Sequence, residues 1–484
     1  MSETTNQHGR SAVVVGAGPN GLIAAITLAR AGWDVTVFEA AARAGGGTRT
    51  EELTLPGVLH DVCSAIHPLA VGSPAFREIA ESDLPLRDHG LEWIQSPVPL
   101  AHPLDGGRAA VLHRSVDETA DRLGRDARAY RRLFGPFVEA GFDLTDGLLS
   151  PLKIPPKHPI TLARYGVVGV LPAYTVGRRG FDTEEAQAMF GGLAGHSILS
   201  LKAPATAGYG LMLGVLAHLV GWPLARGGSQ QIADALVAVL EKLGGRVECG
   251  RRIESLAELP PADAVLLDLT PRQVLTIAGD AVPNRYRKAL TRFRYGPGVF
   301  KLDWALDGPI PWANADCARA ATVHVGGTLG EIAASESDVQ AGRHPERPYV
   351  LLAQQSLFDP SRAPVGVQTA WAYCHVPNGS VIDMTDRIER QIERFAPGFR
   401  DRILARHTMN TEAVEAHDAN YIGGDINGGV ADLRQFIRRP TLGLHPWKTP
   451  IEGVYLCSSS TPPGGGVHGM CGWHAAQEVM RQSR

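Results

Sequence analysis

The stretch "SAVVVGAGPNGLIAAITLARAGWDVTVFEA", residues 11–40, decides the fold. Val13 to Val15 form a short unbroken apolar run, the mark of a strand covered on both faces in a parallel sheet. Leu22, Ile23, Ile26 and Leu28 then recur at helical spacing, and "DVTVFE" returns to a strand ending at Glu39. Between strand and helix stand Gly16, Gly18 and Gly21, flanking Pro19 and Asn20. In this setting Gly16 allows the tight turn, Gly18 lets a diphosphate approach the backbone, and Gly21 lets the helix pack on the strand. Glu39 is placed to accept hydrogen bonds from ribose hydroxyls. Glycines, both strands and the acid together read as a dinucleotide-binding unit rather than an ordinary glycine turn.

The chain of 484 residues has room for two domains, and 44% hydrophobic with 20% charged residues describes a globular protein. A net charge of -3 argues against a general nucleic-acid partner. Six cysteines without a C-x-x-C pair are intracellular usage and suggest neither a disulfide nor a metal framework. No signal or transit peptide is visible in "MSETTNQHGR", so a cytoplasmic location is expected. Residues 203–225 carry no charge, but Pro204, His218 and Pro223 favour a buried helix over a membrane span. From Gly147 to Phe181 there is no acid, while Lys153, Lys157, Arg164, Arg178 and Arg179 alternate with apolar runs. Two readings stand there: a peripheral membrane contact or mouth for a lipid-like substrate, and a solvated helix pair.

Past Glu39 and Ala40 the chain continues "AARAGGGTRT", with Arg43, Gly45, Gly46, Gly47, Thr48 and Arg49. This run resembles the extended dinucleotide motif of the flavin amine oxidase and phytoene desaturase superfamily, in which the segment folds back over the diphosphate and flavin. The superfamily often has arginine where Gly47 stands, which would shift a phosphate or flavin contact to Arg49. "ARGGSQQIADALVAVLEKLGGRVECGRRIESL" is similar to a second superfamily block, whose position at Ile253 implies a backbone contact to adenine, with strands around Val247 and Ile253. "GVYLCSSSTPPGGGVHGMCGWHAA" resembles the third block, with a closing helix from about Cys471. It implies that Gly464, Gly465, Gly466, Val467 and His468 lie at the flavin ring, facing the start of that helix. An acid common near Ser458 is absent, leaving the ribitol to Ser459 or the main chain.

No second fingerprint is present: "FGGLAG" and "YIGGDINGG" lack the strand–turn–helix setting. The implied cofactor is therefore FAD without a nicotinamide domain. "HDVCSAIHPL", "AGHSILSL", "AHLVGWP", "LDWALDGPIPW", "FDPSRAPVG" and "IGGDINGG" resemble one subgroup, related to pyridine nucleotide-disulfide oxidoreductase domain-containing protein 2. The expected fold is α/β, a Rossmann-type FAD-binding domain with an inserted α+β substrate domain. The resemblance implies a discontinuous FAD domain (1–90, 223–295 and 446–484) and a substrate domain (91–222 and 296–445).

Three candidate catalytic side chains follow from the resemblance. Lys301 matches a lysine that amine oxidases place near the flavin, but it could equally be a surface lysine at a strand start. His468 and His474 flank the closing helix start, as acid or base or as packed histidines. Glycines occupy one wall of the aromatic cage of amine oxidases, so amine oxidation is disfavoured and a wider slot for an apolar small molecule is favoured. The leading expectation is an FAD-dependent oxidoreductase that desaturates C–C bonds of an isoprenoid- or lipid-like substrate. A flavin-dependent double-bond isomerase and a non-catalytic flavin-bearing protein stand beside it. The oligomeric state is open, with a homodimer one option.

Overall fold

The computed structural model describes residues 9–150 and 156–483, so the reading of the N-terminal leader and of Lys153 lies outside the described residues. A five-stranded sheet takes Ser11–Val15 and Asp34–Phe38 as its centre. Ala264–Leu267 and then Val454–Leu456 add on one side, and Arg246–Glu248 on the other, all parallel. The alternation of strand side chains sends each residue to a different layer. Ala12 and Val14 pack under the helices Pro19–Arg30, Gln230–Lys242 and Met470–Gln482, while Val13 and Val15 meet Val274, Ile277 and Leu290 on the opposite face. Burial on both faces explains the unbroken valine run. This is the expected Rossmann-type half of the fold.

A second sheet of seven strands supplies the other half. Its strands come from Val98–Leu112 and from Gly298–Met409, and all neighbours are antiparallel except Ala320–Val325 against Val98–Leu104. Trp304, Leu352 and Ala372 face the helix Thr385–Phe395 on one side. Leu351, Trp371 and Tyr373 face the helices Glu184–Gly195 and Thr206–Leu219 on the other. The uncharged stretch 203–225 forms the second of these, a 14-residue buried helix far short of a bilayer span. Among the described residues no helix is long and apolar enough to cross a membrane.

One sequence expectation is corrected here. Residues 251–255 form no strand, because Arg251, Arg252 and Glu254 are exposed and only Ile253 turns inward. The strand after Arg246–Glu248 is instead Ala264–Leu267. The closing helix spans Met470–Gln482, in keeping with the expected start at about Cys471. Its early glycines serve packing: a Cβ on Gly469 would lie 2.5 Å from Ile23 Cγ1, and one on Gly472 would lie 1.8 Å from the Asn20 carbonyl oxygen. Gly472→Ala must therefore push the closing helix off the helix Pro19–Arg30, an overpacking cost of roughly 1–3 kcal/mol. Chemical denaturation of the variant reads that loss, and an unchanged midpoint would show that the two helices do not meet so closely.

Among the described residues, the acid-free segment begins at the end of the helix Asp143–Leu148 and contains the short helices Pro159–Gly169 and Ala173–Gly180. On and just after Pro159–Gly169, Ile160 (69%), Val167 (72%), Val170 (51%) and Leu171 (40%) are exposed to solvent.

Candidate active site

The carboxyl ends of the central strands converge on a cavity of about 860 Å³, at the upper end of the range for cofactor sites. Val15 leads into Gly16, Phe38 into Glu39, Leu267 into Asp268, and Leu456 through Cys457 to Ser458, and each of these ends contributes to its wall. Gly18, Pro19, Asn20, Ala40, Gly46, Gly47, Arg49, Ile253 and Ser459 line it as well. Arg251 and Arg252, Asp268, Thr270 and residues 416–421 contribute to the remaining wall, and no sequence motif points to Asp268, Thr270 or residues 416–420.

The loop geometry accounts for the glycines. A Cβ on Gly21 would stand 2.0 Å from the Gly16 carbonyl oxygen, and one on Gly18 would stand 3.0 Å from Asp268 Oδ2. Glu39 holds the turn from below: Ala17 N–H donates to its Oε2 and Ala41 N–H to its Oε1, both at 2.8 Å. The Asp268 carboxylate accepts from Gly21 N–H at 2.9 Å. Burial, reinforced by the like charges of Asp418 and Glu39, pushes Asp268 up to about 8. Asn20 donates to Ser459 Oγ at 3.3 Å and ties the first glycine loop to the last block.

Other sequence candidates sit elsewhere. Arg43 is exposed and paired with Asp234 at 3.5 Å, outside the cavity wall. Thr48 is buried and closes its own turn by donating to the Gly45 carbonyl. Gly464 to Gly466, Val467 and His468 do not reach the cavity. A Cβ on Gly465 would meet Asn427 Oδ1 at 2.7 Å, and one on Gly466 would meet Leu69 Cδ1 at 2.7 Å, so protein atoms occupy that space. His468 spends both nitrogens internally, with Nε2 at 3.1 Å from the Gly464 carbonyl and Nδ1 accepting from Met470 N–H. His474 is bonded to the Leu149 carbonyl at 2.8 Å. The geometry gives both histidines a packing role instead of the expected catalytic one.

Beside the large cavity lies a small chamber of about 20 Å³, with walls from Val62, Cys63, Val299, Lys301, Trp371, Tyr373, Met409, Val414 and Ile426. His417, Tyr421 and Ile426 belong to both walls and form the partition. Lys301 is not a surface lysine: it is buried at the chamber and paired with Asp303, which also lies 3.6 Å from His60. Burial holds His417 neutral, down to about 3, and pushes the Cys63 thiol up to about 11. Burial likewise keeps the Tyr421 phenol protonated.

Three buried polar atoms of residues lining the site, Asn20 Oδ1, His417 Nε2 and Trp371 Nε1, have no hydrogen-bond partner in the protein. Orphaned groups of this kind call for a polar ligand. The glycine cradle with its helix N-terminus, the cations Arg49, Arg251 and Arg252, and the carboxylate of Glu39 suit a dinucleotide.

In fold and sequence the chain is similar to oxidoreductases of the desaturase and amine oxidase kind. Residues 14–81 match the NAD(P)-binding Rossmann-like domain family. In particular, the chain is homologous to pyridine nucleotide-disulfide oxidoreductase domain-containing protein 2 of Rattus norvegicus, at 27% identity over 97% of this chain and 93% of that protein. Phytoene dehydrogenase of Streptomyces griseus is 26% identical over 81% of this chain and 77% of its own length. The structure of putrescine oxidase bound to putrescine superimposes with a TM-score of 0.61 at 16% identity, covering 98% of this chain and 99% of that one.

Proposed function

We propose that the protein binds one FAD in the large cavity and oxidises an apolar substrate at a C–C bond, as a desaturase does. The observation that carries this reading is the character of the chamber beside the cavity. Its walls are aliphatic and aromatic, His417, Cys63 and Tyr421 are uncharged at neutral pH, and Lys301 is paired with Asp303. A cationic amine would find no free carboxylate among these residues, whereas an apolar chain meets mostly hydrocarbon and ring surface. A bound flavin supplies the hydride acceptor. The chain's own residues hold the dinucleotide, exclude water and orient the C–H bond. With about 20 Å³ free, the chamber walls must part to admit substrate.

Anaerobic mixing of the FAD-loaded protein with long-chain isoprenoids or acyl lipids tests the reading. Bleaching of the flavin band with a desaturated product supports it. Product without net bleaching means double-bond isomerisation, and bleaching by amines alone means amine oxidation.

The acid-free face also fits an anionic membrane surface as the source of such a substrate. Ile160, Val167, Val170 and Leu171 present apolar surface beside the exposed Arg164, while Lys157 is paired with Asp146 at 3.6 Å, so apolar contacts act together with the Arg164 charge. The protein is expected to co-sediment with vesicles containing phosphatidylserine and to be released by about 0.5 M salt through screening. Val167→Asp should abolish co-sedimentation while leaving thermal stability unchanged. Equal sedimentation of the variant would remove the membrane from the account.

A further inference from the structure

We propose that Tyr421 is the side chain that bound cofactor and substrate share, and that residue 47 is glycine in order to admit it. This rests on the reading of the large cavity as a dinucleotide site. A Cβ built on Gly47 would lie 1.9 Å from the Tyr421 hydroxyl oxygen and 3.2 Å from its Cζ. No side chain at 47 can coexist with that phenol. The ring cannot swing away cheaply, because Tyr421 is anchored at both ends. Its backbone N–H donates to the Asp418 carbonyl at 2.8 Å, and its carbonyl accepts from Gly424 N–H at 2.8 Å. At the other end its hydroxyl lies beside the Cys63 thiol.

The position of the phenol gives it a task. Tyr421 is part of the wall of the large cavity, with Gly46, Gly47 and Asn420, and of the wall of the apolar chamber, with Cys63 and Trp371. A hydroxyl at that boundary can donate one hydrogen bond and accept others. His417, four residues earlier and also in both walls, offers an unpartnered buried Nε2 as an acceptor. The boundary thus presents an uncharged donor and an uncharged acceptor. Where the superfamily often has arginine, this chain brings a neutral phenol from a segment more than 370 residues away. The groups fix the polar edge of a bound ring without placing a net charge beside an apolar substrate.

The experiment is a double-mutant cycle on the full chain with FAD as probe, combining Gly47→Ala and Tyr421→Phe. Fluorescence titration gives the FAD dissociation constant, and the visible spectrum of the bound flavin reports on the ring. Gly47→Ala should weaken FAD binding about tenfold or more, and the double variant should recover most of that loss, a coupling within the range for residues in contact. Tyr421→Phe alone should stay folded and FAD-loaded but shift the flavin absorption band and the midpoint potential, because the ring loses a hydrogen bond. A merely structural tyrosine would leave spectrum and potential where they are. Additive effects in the cycle, or an unshifted spectrum and potential in Tyr421→Phe, would overturn the proposal. Failure of the unmodified protein to bind FAD at all would instead overturn the dinucleotide reading beneath it.

Discussion

Gly21→Ala is expected to remove FAD binding almost completely while the protein still folds. The added methyl would stand 2.0 Å from the Gly16 carbonyl oxygen and 3.2 Å from Asp268 Oδ2. The first of these is backbone within the cradle itself, so relief requires the helix Pro19–Arg30 to shift from the turn that follows Ser11–Val15. That shift also draws Gly21 N–H from Asp268, a contact of 2.9 Å that fixes the loop. Overpacking of this kind costs about 1–3 kcal/mol, and where the whole cost falls on the bound geometry the upper end is a loss of about 100-fold in affinity. Calorimetric titration with FAD reads the affinity, and thermal melting of the apo-protein separates it from unfolding. An affinity within a few-fold of the unmodified protein would mean that the diphosphate is not held by this loop.

The second large effect concerns Asp268 and pH. Burial raises its carboxyl to about 8, so the folded protein keeps it protonated at neutral pH, whereas the unfolded chain ionises it above roughly 4. The folded state therefore binds more protons between those values, and stability falls as pH rises from about 4 to 8. A diphosphate bound nearby brings further negative charge and favours the protonated form more strongly. FAD affinity should then be flat below about pH 8 and fall about tenfold per pH unit above it, until the carboxyl of the complex ionises in turn. Asp268→Asn keeps an oxygen that can accept from Gly21 N–H but cannot ionise. It should bind FAD with no such decline up to pH 10 and be more stable than the unmodified protein at pH 9. A decline of equal slope in the variant would place the titrating group elsewhere.

The residues that make close backbone contacts were the ones visible in the sequence. Gly16, Gly18 and Gly21 follow a strand, and their spacing between strand and helix revealed the cradle. Gly16 by its positive φ, and Gly21 by the 2.0 Å that a Cβ there would leave to the Gly16 carbonyl oxygen, exclude a side chain. Glu39 was visible because it terminates the next strand. Asp268 obeys the same rule, since it directly follows Ala264–Leu267. That strand was not anticipated, because the preceding irregular segment around Ile253 had been assigned its place. The last block misled for a physical reason: glycines allow close approach by any neighbour. Gly465 and Gly466 are approached by Asn427 and Leu69, and Gly469 and Gly472 by the first helix, rather than by the cavity. Residues 416–420 carry no local signal at all. Tyr421 becomes a site residue only because tertiary packing sets its hydroxyl against Gly47, which spacing within the chain could not disclose.

The central claim is one FAD in one dinucleotide cavity, and stoichiometry tests it most directly. Purified protein is incubated with excess FAD, freed of unbound flavin, denatured, and the released FAD is quantified against chain concentration, with a parallel titration by NADH and NADPH. The account predicts one FAD per chain and no stoichiometric binding of either nicotinamide dinucleotide. A protein that stays colourless after incubation with FAD, or that binds NADH or NADPH one per chain in place of FAD, would contradict it.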